Sequence, residues 1–425
     1  MNPKRDFVWT AASRAIYALA QWLILIVVAR LGDVEQLGML AFALAVTGPV
    51  IVFAQLNMRT YMATDASAQF RFEDYHAALA VTMLGAVTVL AGIAFWRFPS
   101  DREAAALILV VGLYKSVEAL SGVYYGALQR AARVRDISIS VAAHGIAAMA
   151  AMAAALAAGE GVLQGAVAIF VIWTVLLLAW DGRALPLTHV GTVMSTREPA
   201  VNAVISACWP LGAVLAMLTL RINIPVYFVD AYGNSADVGF YSAMAYFIVI
   251  GNMVTGSLLE VAAPRYANYY RDGYHFACRR LFLRLGVVIV SVGATGVLIA
   301  AAAGELILQL LYGAPFATHA PVLVFVMLAA AVMYVSQLFG MMLTVTRSFR
   351  QQVIANIVGI IAAVVLSVLL IPEFGLIGAA LAMFGAGFTT GAVNVWSVWS
   401  AQRFLFYGLP VGSPTRTAGV SAPGD

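Results

Sequence analysis

Apolar runs of close to 20 residues, divided by short charged breaks, follow one another from Val8 to Val398, and no other feature limits the fold so severely. A run of that length crosses the ~30 Å hydrocarbon core of a bilayer as a helix. In lipid every backbone N–H and C=O must be satisfied inside the protein, which only helices and closed barrels achieve. The runs lack the ten-residue alternation of barrel strands. The sequence therefore predicts an all-α polytopic membrane protein of about 12 transmembrane helices. They are expected near residues 8–29, 38–57, 76–95, 104–127, 137–158 and 162–180, then 201–229, 238–262, 281–303, 320–343, 352–371 and 376–398.

Composition excludes several alternatives. Of 425 residues 63% are hydrophobic and 10% charged, with a mean hydropathy of +0.91, whereas soluble domains are roughly a quarter charged. Twelve spans with their connections leave no room for a sizeable soluble catalytic module. Residues 1–7 before the first apolar run have the charge order of a signal peptide, but Ala29-Arg30-Leu31 is no small-residue cleavage site, so an uncleaved first helix is expected. Cys208 and Cys278 have neither a CxxC partner nor a nearby His cluster, which argues against a disulfide framework or a zinc site. The net charge of +4 arises from short loops between spans, so anionic membrane lipids, not nucleic acid, are its expected partner.

Charge bias sets the orientation. With the N-terminus inside, eighteen of the 24 Lys and Arg fall on the cytoplasmic side; Arg30, Arg97 and Arg102 fall outside, and Arg14, Lys115 and Arg221 lie within spans. Both termini are then cytoplasmic, in what would be the inner (plasma) membrane of a bacterium. The expected organisation is a six-helix lobe over residues 1–180, a cytoplasmic linker over 181–200, a second six-helix lobe over 201–400 and a disordered cytoplasmic tail over 401–425.

The halves share internal similarity. Gly32 to Gly38 and Gly233 to Gly239 each form a GxxxxxG segment leading into an apolar helix, at an offset of 201. Gly126, Arg133, Gly145 and Gly161 pair with Gly340, Arg347, Gly359 and Gly375 at an offset of 214. One loop differing by 13 residues reconciles the offsets. Six spans per half is an even number, so the lobes share one topology and are pseudo-symmetric about an axis along the membrane normal.

Charges near the bilayer centre cost at least ~2.5–3.5 kcal/mol and usually face a partner or a wet cavity. On the first helix Arg14, Tyr17 and Gln21 share one face, which either lines a lumen or lets Arg14 snorkel to the head groups. Lys115 lies deeper, with Glu118 at i+3 as its ion-pair partner, in either a lumen-facing pair or a structural bridge. On the seventh helix Arg221 and Asn223 lie between Pro210 and Pro225, in a segment that resembles a hinge beside a cavity unless Arg221 snorkels outward. Glu260 and the cluster Gln55, Asn57 and Arg59 read as solvated residues near the cytoplasmic mouth. His144, alone among alanines, is a possible proton carrier, but reads more readily as a satisfied packing residue.

Four segments carry a family resemblance: Ala29-Arg-Leu-Gly-Asp-Val-Glu-Gln-Leu-Gly38, Val238-Gly-Phe-Tyr-Ser-Ala243, Leu311-Tyr-Gly313 with the following Ala320-Pro321, and Glu373-Phe-Gly-Leu-Ile-Gly-Ala-Ala380. In this order on a twelve-helix frame they resemble the polysaccharide-transporter (Wzx-type flippase) family of the MOP superfamily, over residues 1 to about 400. The resemblance implies two lobes about a cavity that opens alternately inward and outward, and a polyprenyl-diphosphate-linked oligosaccharide flipped to the outer leaflet. It implies no enzymatic activity and no cofactor beyond H+ or Na+ coupling. Its implied partners are the lipid-linked oligosaccharide, membrane lipids and other polysaccharide-assembly membrane proteins. In such relatives basic residues on the first and seventh helices meet the anionic head group, and Arg14 and Arg221 match them by position. Relatives often carry an acid beside the seventh-helix arginine; here the neighbour is Asn223, which leaves Glu118 as the deep carboxylate.

Physical chemistry fits that implication, because a diphosphate crossing hydrocarbon needs cations and its sugars need wet polar walls. Arg14, Lys115 and Arg221, with Glu118, Asn223, Gln21 and Tyr17, form the expected substrate-binding set. A multidrug antiporter of the same superfamily would want deep acids instead. A membrane-embedded glycan polymerase would need carboxylates or histidines in a large outer loop, and the outer loops here are short.

Overall fold

The structure, a computed structural model, describes residues 3–65, 69–184 and 200–401. Most of the expected linker and all but the first residue of the expected tail, with Arg197, Arg403 and Arg416, lie outside the described residues. Within the described residues the regular structure is entirely helical. The first half comprises α1 (Pro3–Leu31), α2 (Val34–Gln55), a short α3 (Met58–Thr64), α4 (Phe72–Arg97), α5 (Arg102–Arg130), α6 (Val134–Ala157) and α7 (Val162–Leu176). From α7 the chain runs through a π-helical turn, Leu177–Asp181, into a last short turn, α8 (Gly182–Ala184). The second half comprises α9 (Val201–Tyr232), α10 (Ser235–Arg271), α11 (His275–Tyr312), a short α12 (Ala314–Ala317), α13 (Ala320–Val345) and α14 (Phe349–Ala401).

Eleven of these helical stretches are long and apolar enough to cross a membrane, which makes the chain a multi-pass membrane protein. One of them, α14, has 53 residues. At 1.5 Å per residue it would extend about 80 Å, far more than a bilayer needs. It breaks at Gly375, where φ 54° and ψ −128° fit a residue without a Cβ. The two arms are separate spans, and the expected twelve result.

The internal repeat takes physical form at two places. Asp33 caps α2 by accepting from the Gln36 N–H at 2.7 Å, and Asn234, 201 residues on, caps α10 by accepting from the Asp237 N–H at 3.0 Å. One turn into each helix, Gly38 and Gly239 meet across the crossing of α2 and α10. A Cβ on Gly38 would lie 1.6 Å from the Ser235 carbonyl oxygen, and one on Gly239 would lie 2.5 Å from that of Val34. Helices in lipid gain little from mutual burial of apolar surface, so close approach at small residues does much of the holding. The second place is 214 residues apart: Gly145 on α6 lets the backbone of Tyr17 on α1 approach, and Gly359 on α14 makes room for Arg221 on α9 and Thr390.

The helices of each half pack mainly on one another, giving two pseudo-symmetric six-helix lobes that join where α2 lies against α9 and α10. At the arginine-poor end of the molecule the lobes are tied together. Arg30, at the end of α1, donates to the carbonyls of Gln309, Leu310 and Leu311 at the end of α11, a cation on a helix C-terminus. Arg97 of α4 pairs with Asp230 of α9 at 2.7 Å, and Trp22 Nε1 donates to Tyr312 Oη at 2.8 Å. At the arginine-rich end Arg14 of α1 and Glu260 of α10 form a long, exposed ion pair at 3.7 Å.

Candidate functional site

Between α1, α2, α3, α5 and α6 lies a cavity of about 630 Å³. Its floor is shaped by a break in the second span. Leu56 (φ 48°) and Asn57 (φ 51°) are consecutive left-handed residues between α2 and α3, a conformation uncommon outside glycine. The break places Asn57 and Arg59 in the cavity wall together with Gln55. Hydroxyls and amides of Thr10, Ser13, Thr47, Gln129 and Ser138 add polar positions to a wall that is otherwise mostly apolar, with Leu44, Ile51, Val52 and Val141 among its residues.

Among the described residues four charged side chains face this space: Arg14, Arg59, Lys115 and Glu118. Glu118 is satisfied on both oxygens. Lys115 Nζ donates to Oε2 at 2.8 Å, and Tyr17 Oη donates to Oε1. Lys115 also lies 5.6 Å from the ring centre of Tyr114 and 5.5 Å from that of Trp173, close enough for cation–π attraction. The Arg59 guanidinium stands 5.3 Å over the Tyr125 ring. Arg14 is 62% exposed, and among the described residues its only ion pair is the long contact with Glu260. With Lys115 and Glu118 cancelling, the cavity's excess positive charge resides on Arg14 and Arg59.

The expected site residues thus divide. Arg14, Tyr17, Lys115 and Glu118 come together in one cavity. Gln21 lines a separate space of about 40 Å³ with Tyr114, Trp173 and Tyr246. Arg221 lies outside the walls of the main cavity: its Nη1 donates to Thr390 Oγ1 at 2.8 Å, inside the second lobe, and its Nε has no hydrogen-bond partner. Asn223 donates to the Thr219 carbonyl at 2.8 Å and abuts Gly48 of α2. The helix bearing both is continuous through Pro210 and Pro225. A single lumen shared by Arg14 and Arg221 is therefore not what this conformation contains.

Three residues of the first lobe depart from the sequence reading. Arg59 reads as a mouth residue because it follows the predicted end of the second span, yet the Leu56–Asn57 break folds it back into the wall. Asp181, expected to open the polar linker, is fully buried at the end of the sixth span. His144 is no satisfied packing residue: its Nε2 has no hydrogen-bond partner. Position in sequence gives no sign of the π turn that buries Asp181.

Comparison with known proteins places this geometry. No family model matches the chain. The capsular polysaccharide biosynthesis protein CapF of Staphylococcus aureus is 22% identical over 384 residues, covering 89% of this chain and 94% of that protein. An inward-facing multidrug-resistance transporter of the MATE family, in the MOP superfamily, superposes with a TM-score of 0.75 at 12% identity, over 93% of this chain and 98% of that one. The lipid II flippase MurJ in an inward closed conformation gives 0.71 at 12% identity, over 92% and 87%. The fold is that of the MOP-superfamily membrane transporters. Within that fold, the similarity to CapF bears out the resemblance to polysaccharide transporters that the four sequence segments carry.

Proposed function

We propose that this protein translocates a polyprenyl-diphosphate-linked oligosaccharide across the inner membrane by alternating access, in the assembly of a surface polysaccharide. The observation that carries the reading is the basic cavity at the arginine-rich end, with polar side chains among its apolar walls, on a chain similar to a capsular polysaccharide biosynthesis protein. Taking the arginine-rich end as cytoplasmic by the positive-inside rule, the cavity faces the compartment where such a lipid-linked substrate is made. Arg14 and Arg59 would bind the diphosphate, with Lys115 joining as it leaves Glu118, because guanidinium and ammonium groups replace the water that phosphate oxygens lose. The hydroxyl and amide walls would take the sugars, and the prenyl chain would stay in lipid.

A multidrug antiporter is the second reading, favoured by the superposition on a MATE transporter. The charge balance weighs against it, since Glu118, the one carboxylate in the cavity wall among the described residues, is engaged by Lys115 and Tyr17 and two arginines would repel cationic drugs. The test is mass analysis of lipid-linked intermediates in a strain lacking the gene. The flippase reading expects an oligosaccharide stranded on the cytoplasmic leaflet and unchanged drug susceptibility. Normal surface glycan with heightened drug sensitivity would overturn it.

A further inference from the structure

Beside the basic cavity the first lobe buries a pair of titratable groups that substrate binding does not use. Trp173 of α7 is completely buried. Two regular turns on, residue 180 would share its face. The π turn at Leu177–Asp181 carries Asp181 there instead and leaves Trp180 45% exposed. Such turns are rare and recur at functional sites. Asp181 Oδ1 accepts from Ser140 Oγ at 2.6 Å. Its Oδ2 has no hydrogen-bond partner and stands 4.0 Å from His144 Nε2, which also has none. The side chains of His144 and Asp181 are 3% and 0% exposed.

The tautomer follows from the other ring nitrogen. His144 Nδ1 lies 2.9 Å from the Ser140 carbonyl oxygen. A carbonyl only accepts, so Nδ1 carries the hydrogen and Nε2 of the neutral ring is bare. Two buried acceptors then face each other, and a proton added at Nε2 turns the 4.0 Å contact into an ion pair. With the proton the pair is neutral overall. Without it the lobe holds a net charge of −1 away from water, which is tolerable only when the adjoining cavity is open and wet.

We propose that His144 and Asp181 form a proton-binding site whose occupancy biases the opening of the cavity, making the proton the coupling ion of the cycle. The proton comes from water and returns to it, and no other bond is made or broken. His144 lines the cavity wall, and two links carry the charge of the pair further into it. Tyr125 Oη sits 2.8 Å from Ser140 Oγ, with Arg59 over its ring. Trp173 Nε1 donates to the His144 carbonyl at 2.9 Å, with Lys115 over the indole. The other titratable groups in reach are Glu118 and Tyr124 of α5, and Tyr17 of α1 through its bond to Glu118. The coupling role rests on the transport reading; the proton site does not.

The test uses the full-length chain in lipid nanodiscs. In histidine-labelled protein, the resonance missing from His144→Asn should change with pH as the site takes up and loses its proton. In Asp181→Asn its midpoint should move by about one unit or more, a tenfold change in proton affinity. His144→Asn keeps an amide donor for the Ser140 carbonyl, which protects folding. A bimane fluorophore on Gly122→Cys, with both native cysteines changed to alanine, reads hydration of the cavity, since a Cβ at Gly122 meets nothing within 4 Å. Its emission should indicate a population of the open state about threefold higher at pH 8 than at pH 5.5, and the response should vanish in both variants. A His144 resonance unmoved by Asp181→Asn would overturn the site. A bimane signal that ignores pH, or keeps its response in both variants, would overturn the coupling. Neither arm depends on whether the substrate is a lipid-linked oligosaccharide.

Discussion

Arg14 and Arg221 look alike in the sequence, each an arginine inside a span, and the structure gives them opposite surroundings. Arg14 stands in the wet cavity and supports little of the packing. Its replacement by alanine should change stability by no more than about 0.5 kcal/mol while lowering transport about tenfold or more, the worth of one charge-assisted hydrogen bond to a diphosphate. Arg14→Lys should retain part of the activity. Thermal unfolding in detergent and surface-glycan output measure the two effects. Arg221 is hydrogen-bonded inside the second lobe. Arg221→Ala should therefore destabilise by about 2 kcal/mol or more by opening a cavity. Arg221→Met, which fills the space without a buried charge, should unfold at the same temperature as the parent or higher. A large loss of stability in Arg14→Ala would contradict this division. At this scale the sequence was partly legible. The i+3 spacing disclosed the Lys115–Glu118 pair, and shared helical face put Arg14 beside Tyr17. Arg59 and Asp181 were hidden because a left-handed break and a π turn each rotate a residue onto a face that regular helical spacing does not assign to it.

The elements were the most legible part, because a helix in lipid has a length set by the bilayer and no alternative partner for its backbone. The eleventh and twelfth spans were legible too, as separate runs over 352–371 and 376–398; what the sequence does not give is that they join as one helical stretch broken only by the conformation of Gly375. Gly375→Ala should cost about 1–3 kcal/mol, because its φ and ψ lie where a side chain is strained, and should be visible as a lower unfolding temperature. The Gly38–Gly239 crossing makes a second prediction. Gly38→Val would drive a side chain into the Ser235 carbonyl and force α2 from α10, so folded protein recovered from membranes should fall sharply. Gly85, on α4, has open space around it, and Gly85→Ala should leave the yield unchanged.

For the whole molecule, the ties at the arginine-poor end hold the lobes together, while at the arginine-rich end the basic cavity lies beside α1 and a long, exposed ion pair joins α1 to α10. Alternating access requires those ties to yield. The pair of Arg97 with Asp230 is partly exposed and worth about 1 kcal/mol, so Asp230→Asn should raise the outward-open population about fivefold, as read by spin-label distances between the ends of α4 and α9. The central claim concerns what the open cavity carries. Its most direct measurement is reconstitution of the purified protein in vesicles holding a polyprenyl-diphosphate-linked oligosaccharide in one leaflet, with the sugar's accessibility to an external lectin followed over time. The account predicts transfer to the other leaflet that slows about tenfold or more in Arg14→Ala. Transfer at the rate of protein-free vesicles, or transfer indifferent to Arg14 and Arg59 alike, would contradict it.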